Sequence, residues 1–284
     1  MSMPSPASVG TIKSLWRYPV KSMRGEGLDE ALVTDSGLLG DRAYALIDQS
    51  NGKVASAKLP KKWGGLVEFA ATFVEPPRAG APTPAVRISW PSGSDALSGD
   101  KDVDRRLSES LGRPVALTTS RPETVSVERL DPMDPGEAVV DIGAIMLEGR
   151  FMDYAALHLV TTATLARLSA LSAETRFDER RFRPNLVIET PGNEGGFVEN
   201  DWVGRTLAIG SDIRLRVTDP TPRCAIPTLA QGELGRDAGV LRTIAQHNML
   251  PVPILDGQVM PCAGIYAFVV QGGTVRKGDP IRVE

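Results

Sequence analysis

Cys224 stands in a loop stiffened by three prolines, Asp219-Pro220-Thr221-Pro222-Arg223-Cys224-Ala225-Ile226-Pro227. The guanidinium of Arg223 beside it favours the thiolate, the form of cysteine that attacks electrophiles and ligates soft metals. A buried, inert thiol is the competing reading, and composition alone favours it. Cys262, between Pro261 and Ala263 in apolar company, keeps that inert reading. Lys21 and Ser22 are adjacent in Tyr18-Pro19-Val20-Lys21-Ser22-Met23-Arg24-Gly25. There an ammonium, a hydroxyl and backbone N–H groups can converge on an anion, although a solvated loop is the simpler account. Arg42 closes Gly37-Leu38-Leu39-Gly40-Asp41-Arg42, and a structural ion pair with Asp41 explains it as well as binding does. Asp178-Glu179-Arg180-Arg181-Phe182-Arg183-Pro184-Asn185 gathers three arginines ahead of an apolar run. A solvated charge run is the usual reading, but Pro184 forces an extended entry that aims Arg183 and Asn185 at a strand end. His158 and His247 lie far apart, and each reads as a packed or surface residue before it reads as a general base.

Familiar chemistry is missing. The chain has no GxxxxGK[ST] phosphate loop and no GxGxxG, HExxH, GxSxG or CxxC. Its 284 residues suffice for one large or two ordinary domains, and 42% hydrophobic with 24% charged residues is a globular composition. A formal net charge of −3 argues against a general polyanion binder, so no nucleic-acid partner is expected. No apolar run approaches the ~18 residues a membrane span needs, and the first ten residues lack a signal-peptide pattern, so the cytoplasm is the expected location. Two cysteines exclude a four-cysteine zinc or iron–sulfur site.

The elements that must carry these residues read as mostly β. Glycines and prolines punctuate short apolar runs along the whole chain. Residues 9–16 alternate with period two and end at Pro19, which reads as an edge or terminal strand. Further strands are expected at 28–34, 43–48, 66–74, 85–90, 113–119, 186–189, 206–209, 213–218, 265–270 and 281–284. Three short helices are expected, at 100–112, 162–172 and 239–248, with Gly112 as a stop and threonines to cap the second. Gly272-Gly273 reads as a hairpin turn. The turn formers at 131–136 mark a boundary between units at 8–125 and 136–284. The expected architecture is β-barrel-like, two closely packed modules forming a cleft.

Several pieces, in this order and spacing, resemble the MOSC family, the domain named for the C-terminal part of molybdenum cofactor sulfurase, preceded by an N-terminal β-barrel domain. They are Tyr18-Pro19-Val20-Lys21-Ser22, Gly37 to Arg42, Leu111-Gly112-Arg113-Pro114-Val115, Phe151-Met152-Asp153, His158-Leu159-Val160-Thr161-Thr162, Arg181-Phe182-Arg183-Pro184-Asn185, Pro222-Arg223-Cys224 and Gly278-Asp279-Pro280. The layout is similar to that of the mitochondrial amidoxime reducing component and bacterial YcbX-like members.

The resemblance implies a Mo-molybdopterin cofactor whose metal is ligated by Cys224, the residue that would carry catalysis. It further implies that Lys21, Ser22 and Arg42 serve the cofactor's phosphate from the first half. Thr161, Arg183 and Asn185 would close the site from the second half, with Thr162 and Arg181 as further contacts and Arg223 beside the pterin. The implied reaction is reduction of small N-hydroxylated or N-oxygenated compounds. Having only two cysteines, the chain lacks the fused iron–sulfur cluster of some relatives, so electrons would come from a separate donor of ferredoxin, cytochrome or flavin reductase type. No covalently bound pyridoxal phosphate is expected. The alternative is a molybdopterin-binding or sulfur-carrier protein without reductase turnover. A structural module without a cofactor is a third reading.

Overall fold

Buried and exposed positions alternate along Ser8–Arg17, and both edges of this strand find partners. In a computed structural model, which describes residues 8–131, 138–143, 146–147, 149–192 and 195–284, it pairs antiparallel with Leu186–Glu189 on one side and Pro280–Val283 on the other. The expected edge strand is thus an interior one. Its C-terminal end also pairs with Glu26–Leu28, but the two flanking partners lie more than 160 residues away, and nothing in its own ten residues records them. Seven strands close into a barrel. They run Leu157–Thr161, Leu186–Glu189, Ser8–Arg17, Pro280–Val283, Thr206–Ile209, Ile213–Pro222 and Gln258–Gln271, and the pair Leu157↔Ala267 joins last to first. The first strand of the chain therefore completes a barrel built otherwise from its second half. Ile12, Leu15, Leu157, Leu159, Leu186, Leu215 and Ile265 fill the interior with no more than 2% exposure, the residues a period-two pattern sends to one face.

The rest of the first half builds a second apolar cluster. Ala70–Phe73, Val86–Ser89 and Asp95–Leu97 form a small sheet, and Ala45–Asp48 pairs with Val115–Thr118. Trp63, Phe69 and Trp90 pack between them, with Ile226 and Leu229 from the second half and Cys224 at the edge. Shared apolar surface thus sets the cysteine loop against the first half of the chain.

Helix Val103–Leu111 buries Val103 and Leu107, four apart on one face, and stops at Gly112 in the left-handed region (φ 64°), as the spacing predicts. Thr162–Leu171 and Gly239–His247 also match expectation. Two single-turn helices, Pro60–Trp63 and Glu179–Phe182, are additional, being too short to show a period. The strand expected at 66–74 is shortened to Ala70–Phe73, because residues 64–68 form a 3-10 turn. Gly272-Gly273 does not make a hairpin: Gly273–Arg276 leaves the barrel and pairs with Glu30–Thr34. A Cβ on Gly272 would sit 2.4 Å from the Val33 carbonyl oxygen, so glycine serves close passage of two backbones here. Of the boundary stretch at 131–136, all but Asp131 lies outside the described residues. Among the described residues no helix is long and apolar enough to cross a membrane.

Candidate functional site

Among the described residues, four non-glycine positions adopt positive φ: Ser22 (67°), Arg42 (47°), Arg183 (54°) and Asp256. Three of the four are candidate site residues. Such backbone costs on the order of 1–3 kcal/mol per residue and gathers where a fold must aim side chains. The sequence makes Arg183 a helix stop. Asp178 caps Glu179–Phe182 by accepting the Arg180 N–H (3.1 Å), Arg183 turns left-handed, and Pro184 forbids continuation. Its Nη1 then donates to the Met23 carbonyl (2.6 Å), and its guanidinium lies 4.3 Å from the Tyr18 ring centre. Arg42 lies 4.4 Å from the same ring and pairs with Asp41. Burial, then the neighbouring Arg42 charge, pushes the Arg183 pKa down to about 10. Buried Asp41 also accepts the Tyr18 N–H (2.8 Å) and the Asn185 side-chain N–H (3.0 Å). The Asn185 side-chain oxygen in turn accepts the His158 N–H (3.1 Å), so this amide joins strand to loop.

Strand Ile213–Pro222 delivers Arg223 and Cys224 to the same place. Arg223 is caged by carbonyls, donating to Ala263 (2.9 and 2.6 Å) and Phe182 (3.1 Å), and it meets Nε2 of His158. Burial, reinforced by Arg223, holds His158 well below the usual histidine range, so its ring is neutral and can accept from the guanidinium. Gly264 makes room for this contact: a Cβ there would lie 2.4 Å from the Leu159 carbonyl oxygen and 2.6 Å from His158 Nε2. Cys262 is fully buried, its Sγ donates to the Met260 carbonyl, and burial pushes its thiol up to about 12. Cys224 is a half-buried free thiol.

These groups line a solvent-open cavity of about 130 Å³. Of the sequence candidates it brings together Arg42, Arg181, Arg183, Asn185, Arg223 and Cys224. Lys21 and Ser22 lie beneath the wall. Lys21 Nζ donates to Asp153 (2.6 Å) and the Phe151 carbonyl, while Ser22 Oγ accepts the Ala57 N–H (3.0 Å). Thr161 and Thr162 do not join the cavity. Thr161 is fully buried, caps its helix by accepting the Thr164 N–H and donates to Glu199 (2.6 Å), while Thr162 faces Thr190. Helix capping has claimed Thr161, and Thr162 is taken by Thr190, whose backbone N–H its hydroxyl also accepts (3.2 Å). Arg181 borders the cavity but donates to the carbonyls of Arg176, Pro227, Leu229 and Gly235, so it braces the loop after Cys224.

The sequence reasoning missed Lys58, Arg129, Asp153 and Thr221, all on the cavity wall. Asp153 was visible only as part of a motif, and Lys58 carried no signal beyond a lysine ahead of Leu59-Pro60. Asp153 sits between Lys21 (2.6 Å) and Lys58 (2.7 Å). Burial alone would raise its pKa, but the two ammoniums hold it far below the usual carboxylate range. Burial lowers Lys21; for Lys58 burial is again the largest single effect, but the charges of Asp153, Cys224 and Tyr266 with the Asp153 hydrogen bond together exceed it and raise the pKa. Around the cavity Asp153 is the single carboxylate against Lys58 and five arginines. Arg129 Nε and Thr221 Oγ1 are shut off from solvent without a hydrogen-bond partner. Such groups are costly unless something completes them. The described wall is strongly cationic, with two buried polar atoms left unpartnered.

A family model for the MOSC domain matches residues 147–282, and one for the MOSC N-terminal beta barrel domain matches residues 9–75. The mitochondrial amidoxime reducing component 2 of Rattus norvegicus is 24% identical over 299 residues, covering 96% of this chain and 83% of its own length. Its counterpart from Homo sapiens is 26% identical with the same coverage. The molybdenum cofactor sulfurase of Danio rerio is 23% identical across 88% of this chain, which spans 34% of that protein. Among solved structures, the YUAD protein of Bacillus subtilis aligns over 96% of this chain and 94% of its own, with a TM-score of 0.47 at 10% identity. With both domains matched in order and amidoxime reducing components matched along almost the whole length, the chain belongs to the MOSC family, as a MOSC domain preceded by its N-terminal β-barrel domain.

Proposed function

We propose that this chain reduces N-hydroxylated compounds, holding Mo-molybdopterin in the cationic cavity with the Cys224 thiolate as metal ligand. The observation that carries the reading is a half-buried free thiol in a cavity whose cations outnumber its carboxylates. The donor set fits the cofactor on two counts. Its phosphate would meet the guanidiniums of Arg42, which also pairs with Asp41, and of Arg183, which has no carboxylate partner among the described residues, and its polar ring edge would satisfy Arg129 Nε and Thr221 Oγ1. Among the described residues no three His, Cys, Asp or Glu side chains cluster as a metal site. A metal beside Cys224 therefore needs ligands that arrive with it, and a pterin dithiolene supplies them.

When bound, the molybdenum centre supplies two-electron chemistry that takes up the substrate oxygen. The overall change is R–NHOH plus two electrons and two protons giving R–NH2 and water. The chain's own residues hold and orient. The carbonyl cage around Arg223 fixes the backbone next to Cys224, and Arg181 pins the loop beyond it. The Tyr18 ring packs against both the Arg42 and the Arg183 guanidinium and holds them as a pair of phosphate partners. Electrons come from a separate donor protein, since two cysteines cannot hold a cluster. The cytoplasm is the compartment we propose, although the amidoxime reducing components carry mitochondrial names.

The test is molybdenum and pterin analysis of protein expressed in a cofactor-producing host, with turnover of an amidoxime on an artificial electron donor. Cys224→Ser should fold normally and lose both metal and turnover, because an alkoxide is not accessible at neutral pH. Equal activity in the variant refutes the assignment. Pterin retained by the wild type without any turnover converts the reading to a cofactor or sulfur carrier.

A further inference from the structure

A second cavity of about 150 Å³ shares Arg183 with the first and does not include Cys224. Trp16, Tyr18, Arg24, Arg180, Arg183 and Glu233 line it, with contributions from both halves of the chain. Its charges are unevenly matched. Arg180 is neutralised twice, by Asp178 (2.7 Å) and by Glu233 (2.6 Å). Arg24 and Arg183 have no carboxylate within ion-pair distance among the described residues. Arg24 donates through Nη2 to the Glu68 carbonyl (3.0 Å), but its Nε is shut off from solvent with no acceptor. Gly232 presses on the same guanidinium: a Cβ there would come within 2.6 Å of Nη1, so the loop holds Arg24 in place. The aromatic side is fixed as well, with Trp16 donating to Glu179 (2.9 Å) and the Tyr18 hydroxyl to the Pro184 carbonyl (3.2 Å). Two uncompensated guanidiniums, one with an orphaned N–H, beside a rigid indole form a site for an oxyanion joined to a flat ring.

We propose that this cavity binds a small ring-bearing oxyanion, an aromatic carboxylate or its like, with the charge on Arg24 and Arg183 and the ring against Trp16. Tyr18 already carries the Arg42 and Arg183 guanidiniums over its ring, so the indole is the surface offered to the ligand ring. Arg183 borders both cavities and is shared with the phosphate site of the cofactor reading, whereas Arg24 and Trp16 belong to this cavity alone, so the test rests on Arg24.

Calorimetric titration of the full chain with benzoate and with inorganic phosphate, at low ionic strength, tests it. Benzoate should saturate and bind more tightly than phosphate. Arg24→Gln should weaken benzoate by about tenfold or more, the loss expected for a charge-assisted contact. Lys58→Gln, on the wall of the Cys224 cavity and absent from this one, should change benzoate affinity by less than about twofold. Equal affinity in Arg24→Gln, loss in Lys58→Gln, phosphate binding more tightly than benzoate, or no saturable binding each overturns the proposal. Should Arg24→Gln fail to fold, Glu233→Gln decides. It removes an exposed rim carboxylate and frees Arg180, so benzoate should tighten by roughly two- to fivefold, and an unchanged affinity there also overturns the site.

Discussion

Replacing Asp153 by Asn should destabilise the fold at neutral pH while leaving its shape intact. The carboxylate accepts from Lys21 at 2.6 Å and from Lys58 at 2.7 Å, and these lysines keep only 6% and 13% of their side-chain exposure. A charge-assisted hydrogen bond contributes a net of about 1.5–3 kcal/mol, so two contribute roughly 3–6 kcal/mol. Asn keeps one acceptor oxygen and avoids desolvating a carboxylate that is 29% exposed, which returns about half and leaves a loss of roughly 1.5–3 kcal/mol. For a chain of this size that lowers Tm by roughly 4–9 °C. The sign with pH follows from the depressed Asp153 pKa. Its stabilisation is present above the unfolded value near 4 and is lost as pH falls toward the folded value, by about 1.4 kcal/mol per unit. Urea unfolding at pH 7 and pH 3 measures the gap between wild type and variant. A gap below about 0.5 kcal/mol at pH 7, within the range of ordinary surface changes, refutes the buried triad. So does a gap of equal size at pH 3.

Gly264→Ala should cost at least about 3 kcal/mol in a urea titration, since it combines a positive φ with a clash against the Leu159 carbonyl and His158; a wild-type transition would contradict the packing described. Burial raises the Glu199 pKa against the two threonine hydroxyls that donate to it. Its contribution is therefore full below the unfolded pKa and fades as pH rises, so Glu199→Gln should gain on the wild type in melts between pH 4.5 and pH 8, and a wild-type lead that widens with pH would be incompatible. Iodoacetamide at pH 8 should label native protein at Cys224 alone, because Cys262 is fully buried with its thiol pushed up to about 12; mass mapping that finds Cys262 modified in the fold would refute this. Arg183→Ala should reduce pterin retention more than Arg180→Ala, whose guanidinium is already taken by Asp178 and Glu233; equal losses would remove Arg183 from the phosphate site.

Local pattern sufficed for much of the molecule. Alternation located the strands from Ser8–Arg17 to Pro280–Val283, and Gly112 ended its helix, whereas the single turn that presents Arg183 in the left-handed region replaced the expected extended entry. The strands and the helix stop rest on backbone preferences within a few residues of each position. The contrast between Cys224 beside Arg223 and Cys262 in apolar surroundings was equally local. Motif order carried the family, and with it Arg42, Arg183, Asn185 and Arg223 as neighbours of that cysteine.

Tertiary structure decided what depends on a distant partner. Whether Ser8–Arg17 is an edge or an interior strand depends on hydrogen bonds to strands 186–189 and 280–283, which its own side chains do not encode. Thr161 reads equally well as a phosphate ligand or a helix cap until Glu199, 38 residues away, accepts its hydroxyl. Lys58 enters the cavity only because Asp153, far along the chain, holds its ammonium there. An ammonium or a hydroxyl acts through whatever stands within about 3 Å of it, and in a closed barrel that neighbour is set by pairings between strands remote in sequence.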